Sequence, residues 1–441
     1  MNQPVIHRVA SSAGPSLFLS RLPGRGRAGC GVGFACVRGA ALAGLRGLAS
    51  VAWAGVSLAV AATSPEAGAV AAGAAGVMEA NDGAGVDAGG VKGSVVAGSR
   101  VQAAPFPLAT AKPVRLGLRL PTDNRGLFEG KPEEFFMGVD RKVEGKTGLV
   151  WQGGQFGFVR NPHPLGEETI FIRFHEGMDI APTVRDNRGE PLDLVRGIAD
   201  GRVVFVNAVA GASNYGRYVV IEHDWGYGTF YSLYAHLMRI EIEAGVVVRA
   251  GQTLGRLGYT GSGIDRRRAH LHLELNMLLS DGFETWQRQM DPGSLTAPTL
   301  FHGHNLAGLD LAALYKAQAV DEGVTIPEFL ASQEPYFKVL APAGAERPSL
   351  LRRYPWLSAQ ALSSSADLRC PSYEITFTAS GLPLAMVPSA QVTPYPVVIA
   401  SVPFNGRHSW RTMDRLTGTG TAAALSAKGT QYVKLLTGSF L

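Results

Sequence analysis

Between residues 165 and 300, short runs of β-branched and aromatic residues alternate with glycine-bearing turns, and this pattern narrows the fold more than any other feature of the chain. The runs cover 169–174, 202–207, 218–223, 229–236, 246–249 and 270–276. Each suits a pleated, half-buried surface and is too short for an ordinary helix. Asp224-Trp225-Gly226-Tyr227-Gly228 lies between two of them and predicts a hairpin connection. Gly251, Gly255, Gly258 and Gly261 recur every three or four residues, as tight turns along a rolled sheet require. The expectation is a mainly β fold in which 165–300 form an antiparallel, rolled β domain.

Composition shifts mark the flanks of a 441-residue chain with room for two or three domains. Residues 1–62 hold Arg8, Arg21, Arg25, Arg27, Arg38 and Arg46 and no acid, a local charge of +6 against +5 for the whole chain. The remainder is close to neutral, so a basic surface for nucleic acid is not supported, and no nucleic-acid partner is expected. An uncharged run of 16 residues, 47–62, ends in Ala59-Val60-Ala61. It reads as a signal peptide or membrane anchor, shorter than the roughly 20 residues that span a bilayer comfortably. A periplasmic, cell-envelope or secreted location is expected, with N-terminal membrane anchorage left open.

Residues 63–104 are rich in Ala, Gly and Val and read as a flexible linker. The stretch 105–164 carries Phe128, Phe135, Phe136, Trp151, Phe156 and Phe158 and reads as an extension packing on the next domain. Pro132, followed by Glu133 and Glu134, predicts a short helix start there. Residues 301–441 read as a helical segment plus an accessory β region, a smaller α+β part. Helices are expected over 310–319 and 326–339, and strands over 373–378, 397–402 and 431–435. Cys370 stands alone outside the leader, which excludes a disulfide framework and a Cys-based metal site and suggests a buried thiol.

Three short pieces carry candidate chemistry: His175-Glu176-Gly177-Met178-Asp179, Tyr234-Ala235-His236-Leu237, and His270-Leu271-His272-Leu273-Glu274. In a strand, residues two apart share a face, so His270 and His272 point one way and Leu271 and Leu273 the other. The same rule puts Tyr234 and His236 on one face. His175 and Asp179 are four apart, but Gly177 and Pro182 argue against a helix and for a strand end leading into a loop. Two imidazoles and a carboxylate suit Zn²⁺ and leave a fourth position for water. Bound zinc brings the pKa of that water down towards about 7. Further histidines nearby can move protons or stabilise an oxyanion.

In this order and at these intervals, the three pieces resemble the lysostaphin-type zinc metallopeptidases of cell walls. That family runs from His-x-x-x-Asp through Tyr-Ala-His-Leu to His-x-His, and Gly245, Gly251-Gln252, Gly255, Gly258 and Thr260-Gly261 fit its glycine-punctuated stretch. The likeness covers roughly 130 of the 441 residues. It implies Zn²⁺ held by His175, Asp179 and His272, with His236 and His270 as flanking catalytic residues. It also implies that Tyr234 binds substrate by helping to polarise the scissile carbonyl. The implied activity is hydrolysis of peptide bonds in bacterial peptidoglycan, in stem or cross-bridge peptides. Where the family has a small-residue turn ending in Gly-Pro, this chain has Ile264-Asp265-Arg266-Arg267-Arg268-Ala269. Three arginines at a groove edge are expected to meet acidic groups on wall peptides.

Two other readings compete. One is a non-catalytic or autoinhibited wall-binding module that activates other cell-wall hydrolases, with the 105–164 segment as the inhibitor. The full set of ligand and flanking histidines argues for activity instead. The other is a lipoyl-type carrier, which needs a lysine at a hairpin tip; none occurs between 201 and 290. His302 and His304 share a spacing of two but have no matching carboxylate, and they read as surface or local structural residues. His223 reads as structural and His163 as a loop residue. Gly145-Lys146-Thr147 lacks the glycine a phosphate-binding loop needs at Asp140. Gly261-Ser262-Gly263 is not a nucleophile turn.

Overall fold

The structure, a computed structural model, describes residues 114–143, 146–292, 299–358 and 370–440. The expected leader over 1–62 and linker over 63–104 lie outside the described residues. All described residues fall in one compact unit, Val91–Leu441. No helix among them is long and apolar enough to cross a membrane.

The fold is mainly β, and the pairings among the described strands are antiparallel, as expected. From the N-terminus come two hairpins: β1 (Val139–Val143) with β2 (Lys146–Val150), and β3 (Gly157–Leu165) with β4 (Glu168–His175). There follow β5 (Met178–Ile180), β6 (Leu194–Arg196), β7 (Gly201–Asn207), β8 (Tyr218–Asp224) and β9 (Thr229–Ala235). Next are β10 (Arg239–Ile240), β11 (Val247–Val248), β12 (Thr253–Arg256), β13 (Leu271–Leu278) and β14 (Leu306–Gly308). The central sheet is seven-stranded, in the order β11-β7-β8-β9-β13-β14, and β5 also pairs with β13. β10, β12 and β6 form a three-stranded sheet beside it. The predicted hairpin at Asp224–Gly228 joins β8 to β9.

Alternation along β13 divides its two faces. Leu271, Leu273, Leu275 and Met277 enter the main core, together with Met178, Ile180, Phe230 and Val203. The opposite face carries His272, Glu274 and Asn276, all buried. The extension packs into the same core through Phe135 and Phe136, and Met137 N–H donates to the carbonyl of Asp179. Its short helix, Pro132–Phe135, begins at the expected proline. A boundary at residue 165 would cut through the β3–β4 hairpin, so the extension and the histidine-bearing strand share one hairpin.

The C-terminal part builds a second, four-stranded sheet from β15 (Phe337–Pro342), β16 (Ser372–Phe377), β17 (Pro383–Ser389) and β18 (Val397–Ser401), in the order β17-β16-β15-β18. Two expectations fail here. The helix predicted over 326–339 stops at Ala331, since Pro335 cannot continue it and forces extended backbone ahead of β15. A Thr325–Glu328 capping box fixes its start. The strand predicted over 431–435 belongs to a helix, Ala427–Thr437, capped by Ser426 and ended by Gly438 at φ 71°. Tyr432, Val433, Leu435 and Leu436 bury a helical stripe that outweighs the strand preference of Val433. Cys370 is half-buried rather than buried.

Candidate metal centre

β4, β5 and β13 meet where the chain places its first and last histidine motifs. β4 ends on His175, and after two intervening residues the chain enters β5, where Asp179 sits directly across from His272 of β13. Gly177 makes this approach possible: a Cβ there would overlap the Leu273 carbonyl oxygen and crowd the Glu274 side chain. The structure thus replaces the expected loop with a short strand and puts the carboxylate on the ladder beside its partner.

His175 Nε2, Asp179 Oδ1 and His272 Nδ1 form a triangle with edges of 3.1, 3.1 and 2.9 Å. All three residues are buried and can offer their atoms to one ion. A tetrahedral zinc with bonds of about 2.0–2.1 Å spaces its ligand atoms about 3.3 Å apart, close to these edges.

Protons on the outer nitrogens decide what the inner ones are. His175 Nδ1 lies 2.7 Å from the carbonyl of Gln155, which only accepts, so that nitrogen carries the hydrogen and Nε2 keeps its lone pair. His272 Nε2 lies 2.7 Å from Glu274 Oε1, which places its hydrogen there and leaves Nδ1 bare. Asp179 Oδ2 accepts from Arg160 Nη2 at 2.6 Å, which turns Oδ1 alone toward the rings. Three lone-pair atoms therefore converge, and their repulsion calls for one positive charge among them.

Electrostatics say the same. Burial works against a charged His272, but the flanking Asp179 and Glu274 outweigh it and push the ring up to about 10. Burial also works against the Asp179 carboxylate, and the His175 and His270 rings still hold it well below the usual range. His175 is lowered by burial and keeps the neutral form a ligand needs. The field that would fix a proton on His272 Nδ1 favours a metal cation in its place.

His236 and His270 stand beside the triangle, with ring centroids 4.8 Å apart. His270 Nδ1 donates to the Arg268 carbonyl at 2.6 Å, and its Nε2 is 3.4 Å from Asp179 Oδ1. His236 Nδ1 donates to the Thr260 carbonyl at 2.8 Å. Burial, then the neighbouring His270 and His272, lower His236 well below its ordinary value, so it is neutral at pH 7.

Tyr234 requires a correction. It lies opposite Leu273, and opposite residues share a face, so its ring enters the core and not the cleft. The side chain is fully buried, and its hydroxyl accepts from the Ile198 N–H at 2.8 Å and from Ser232 Oγ at 3.0 Å. It cannot touch a substrate carbonyl. The expectation that Tyr234 and His236 share a face assumed an unbroken strand. β9 ends at Ala235, and His236 takes φ 63°, which swings its ring across to the metal side.

Of the three arginines before the last motif, Arg266 faces Glu190 at 3.2 Å and Arg267 faces Asp140 at 3.4 Å, while Arg268 lines the cleft. That cleft has a volume of about 740 Å³ and is open to solvent at the metal centre. Tyr215 lines it and donates to Glu274 Oε1 at 2.8 Å. His302 and His304 lie away from the cleft, with His302 Nδ1 accepting from the His304 N–H. His223 is buried against Asp200 and Ser232, a structural role as expected. His163 is on β3, not a loop, and packs on Trp410.

Four contributors were not singled out from sequence. Glu274 is within reach of sequence reasoning, because it follows His272 by two in a strand. The Gln155 carbonyl, Arg160 and Tyr215 are far along the chain from the residues they serve, and no spacing rule connects them.

Residues 173–284 match peptidase family M23. The resemblance to lysostaphin-type peptidases is borne out, and the M23 segment contains every histidine of the centre. A lipoprotein NlpD/LppB homolog of Pseudomonas aeruginosa is 33% identical over 101 residues, which are 23% of this chain and 29% of that protein. A zinc-containing peptidase from Vibrio cholerae is 25% identical, with 32% of this chain and 36% of that one covered and a TM-score of 0.21. The catalytic domain of lysostaphin from Staphylococcus simulans is 27% identical, with 27% and 75% covered and a TM-score of 0.19. The chain thus spans about a third of the length of the first two. The family match supports a peptidase-like domain over residues 173–284.

Proposed function

We propose that the protein is a zinc-dependent endopeptidase that hydrolyses peptide bonds in bacterial peptidoglycan and works in the cell envelope or outside the cell. The observation that carries this reading is the convergence of three lone-pair atoms, each fixed by a hydrogen bond on its far side. His175, Asp179 and His272 hold the ion. When bound, it supplies Lewis acidity toward water and a peptide carbonyl.

The chain's own residues do the rest. His236, neutral at pH 7, offers a ring nitrogen as proton acceptor, and its Thr260 hydrogen bond fixes which nitrogen that is. His270 is held in the same way by the Arg268 carbonyl, which leaves its Nε2 as the atom that takes up a proton from water and passes it to the leaving amine. Arg160, Gln155 and Glu274 keep the ligands in register without touching substrate. Tyr215 borders the cleft, and its hydroxyl is committed to Glu274.

The regulatory reading predicts binding to the wall without cleavage. The complete donor set supports the catalytic reading over it. The test incubates the zinc-loaded full chain with intact sacculi and identifies released muropeptides by mass spectrometry. Release by the wild type and not by His236→Ala, with zinc retained by both, is expected. Retained zinc without release would overturn the peptidase reading.

A further inference from the structure

The β3–β4 hairpin forms one wall of the cleft, and its register shifts between Phe158 and Arg160. Such a bulge re-aims the side chains beside it. The next residue, Asn161, takes φ 52°, a left-handed conformation few non-glycine residues adopt. Past this irregularity Arg160 lies directly opposite Arg173, and both line the cleft. Like charges placed across from each other on one face repel. β1 nevertheless adds two more, Arg141 and Lys142, to the same cleft.

The arrangement is built rather than loose. Arg141 donates to the Val159 carbonyl at 2.6 Å and lies over the Phe171 ring at 4.4 Å. Arg160 donates through Nε to the Gly153 carbonyl at 2.8 Å and through Nη2 to Asp179. Arg173 has no ion-pair partner among the described residues. Of the non-ligand carboxylates in the cleft lining, Asp140 already faces Arg267, which leaves Glu176. The wall beside the metal centre therefore carries uncompensated positive charge.

We propose that Arg173, with Arg141 and Lys142 beside it and Arg160 fixing the bulge opposite, forms a subsite for a free carboxylate on the peptide substrate close to its scissile bond. A guanidinium fork matches a planar carboxylate, and Arg160 already holds one in Asp179. The proposal rests on the peptidase reading and sharpens it: the substrate is an acidic peptide rather than an uncharged cross-bridge. Recognition belongs to the hairpin wall and not to the Arg266–Arg268 turn, where two of the three arginines are already paired.

The test uses the zinc-loaded full chain and two preparations of sacculi, one untreated and one with its carboxyl groups converted to carboxamides. Co-sedimentation reads binding, and mass spectrometry of the supernatant reads release. Wild type, Arg173→Gln and Arg115→Gln are compared; the last removes the same charge from an exposed site paired with Glu322. Amidation is expected to lower wild-type binding and release by about ten-fold or more, as loss of a charge-assisted pair does. Arg115→Gln should follow the wild type, whereas Arg173→Gln should lose most of the discrimination. Equal handling of both preparations by the wild type, or equal sensitivity of wild type and Arg173→Gln, overturns the subsite and leaves the peptidase reading standing. Carboxylate-dependent binding without release keeps the subsite and removes the peptidase. Neither binding nor release removes both.

Discussion

Glu274 holds the Nε2–H of His272 at 2.7 Å and accepts two further hydrogen bonds, from Tyr215 and Asn276. Its charge raises the basicity of the opposite ring nitrogen, the one that faces His175 and Asp179. Glu274→Gln keeps an acceptor and removes the charge. Zinc affinity measured by chelator competition should fall about 10–100-fold, with the fold intact. His223 offers a test of stability instead. Burial lowers it from 6.5 to about 4, so between those values the unfolded chain binds a proton that the folded one refuses. Stability is full above pH 6.5 and falls as the pH drops toward 4, by up to about 3 kcal/mol from this residue. Urea titrations at pH 7 and pH 5 should show a smaller pH effect in His223→Gln than in the wild type. At this scale the cluster of His175, Asp179 and His272 was legible because histidine and aspartate announce themselves by type and spacing. Tyr234 was misplaced because parity counting cannot see the left-handed residue at His236.

Among the elements, β5 is the most constrained, since it must deliver Asp179 opposite His272 within three residues. Gly177→Ala would force β5 away from the Leu273 carbonyl. We expect a stability loss of about 1–3 kcal/mol by urea titration, with zinc affinity reduced in parallel. The strands of the central sheet were readable from sequence because each is a short β-branched run closed by glycines. The stretch 326–339 misled because a helical period continues past Ala331, and only Pro335 marks the break. The 431–435 stretch misled because five residues are too few to separate a strand from a helix when one is β-branched. The cap at Ser426 and the stop at Gly438 lie beyond those five residues.

Across the whole molecule, extension, sheet and C-terminal part share one hydrophobic core, so metal binding should stabilise all of them together. Saturating zinc at a hundred times its dissociation constant adds about 2.7 kcal/mol. For a chain of this size that corresponds to a rise in Tm of roughly 3–4 °C. Calorimetry should record that rise in the wild type, its reversal by a chelator, and its loss in His272→Ala. The overall architecture was legible over 165–300, where pattern and family likeness agreed. The joining of the extension to β4 was not, because the contacts of Arg160 and Gln155 depend on a hairpin that crosses the apparent boundary.

The spacing of the donors along the chain also sets an order of events during synthesis. His272 follows His175 by 97 residues. At ribosomal rates of about 5–20 residues per second, roughly 5–20 s separate the emergence of the first donor from that of the last. Until β13 has been made and paired, the growing polypeptide offers one imidazole and one carboxylate, too few to retain zinc against competing ligands. Metal capture, on this reading, is therefore postponed until the sheet closes.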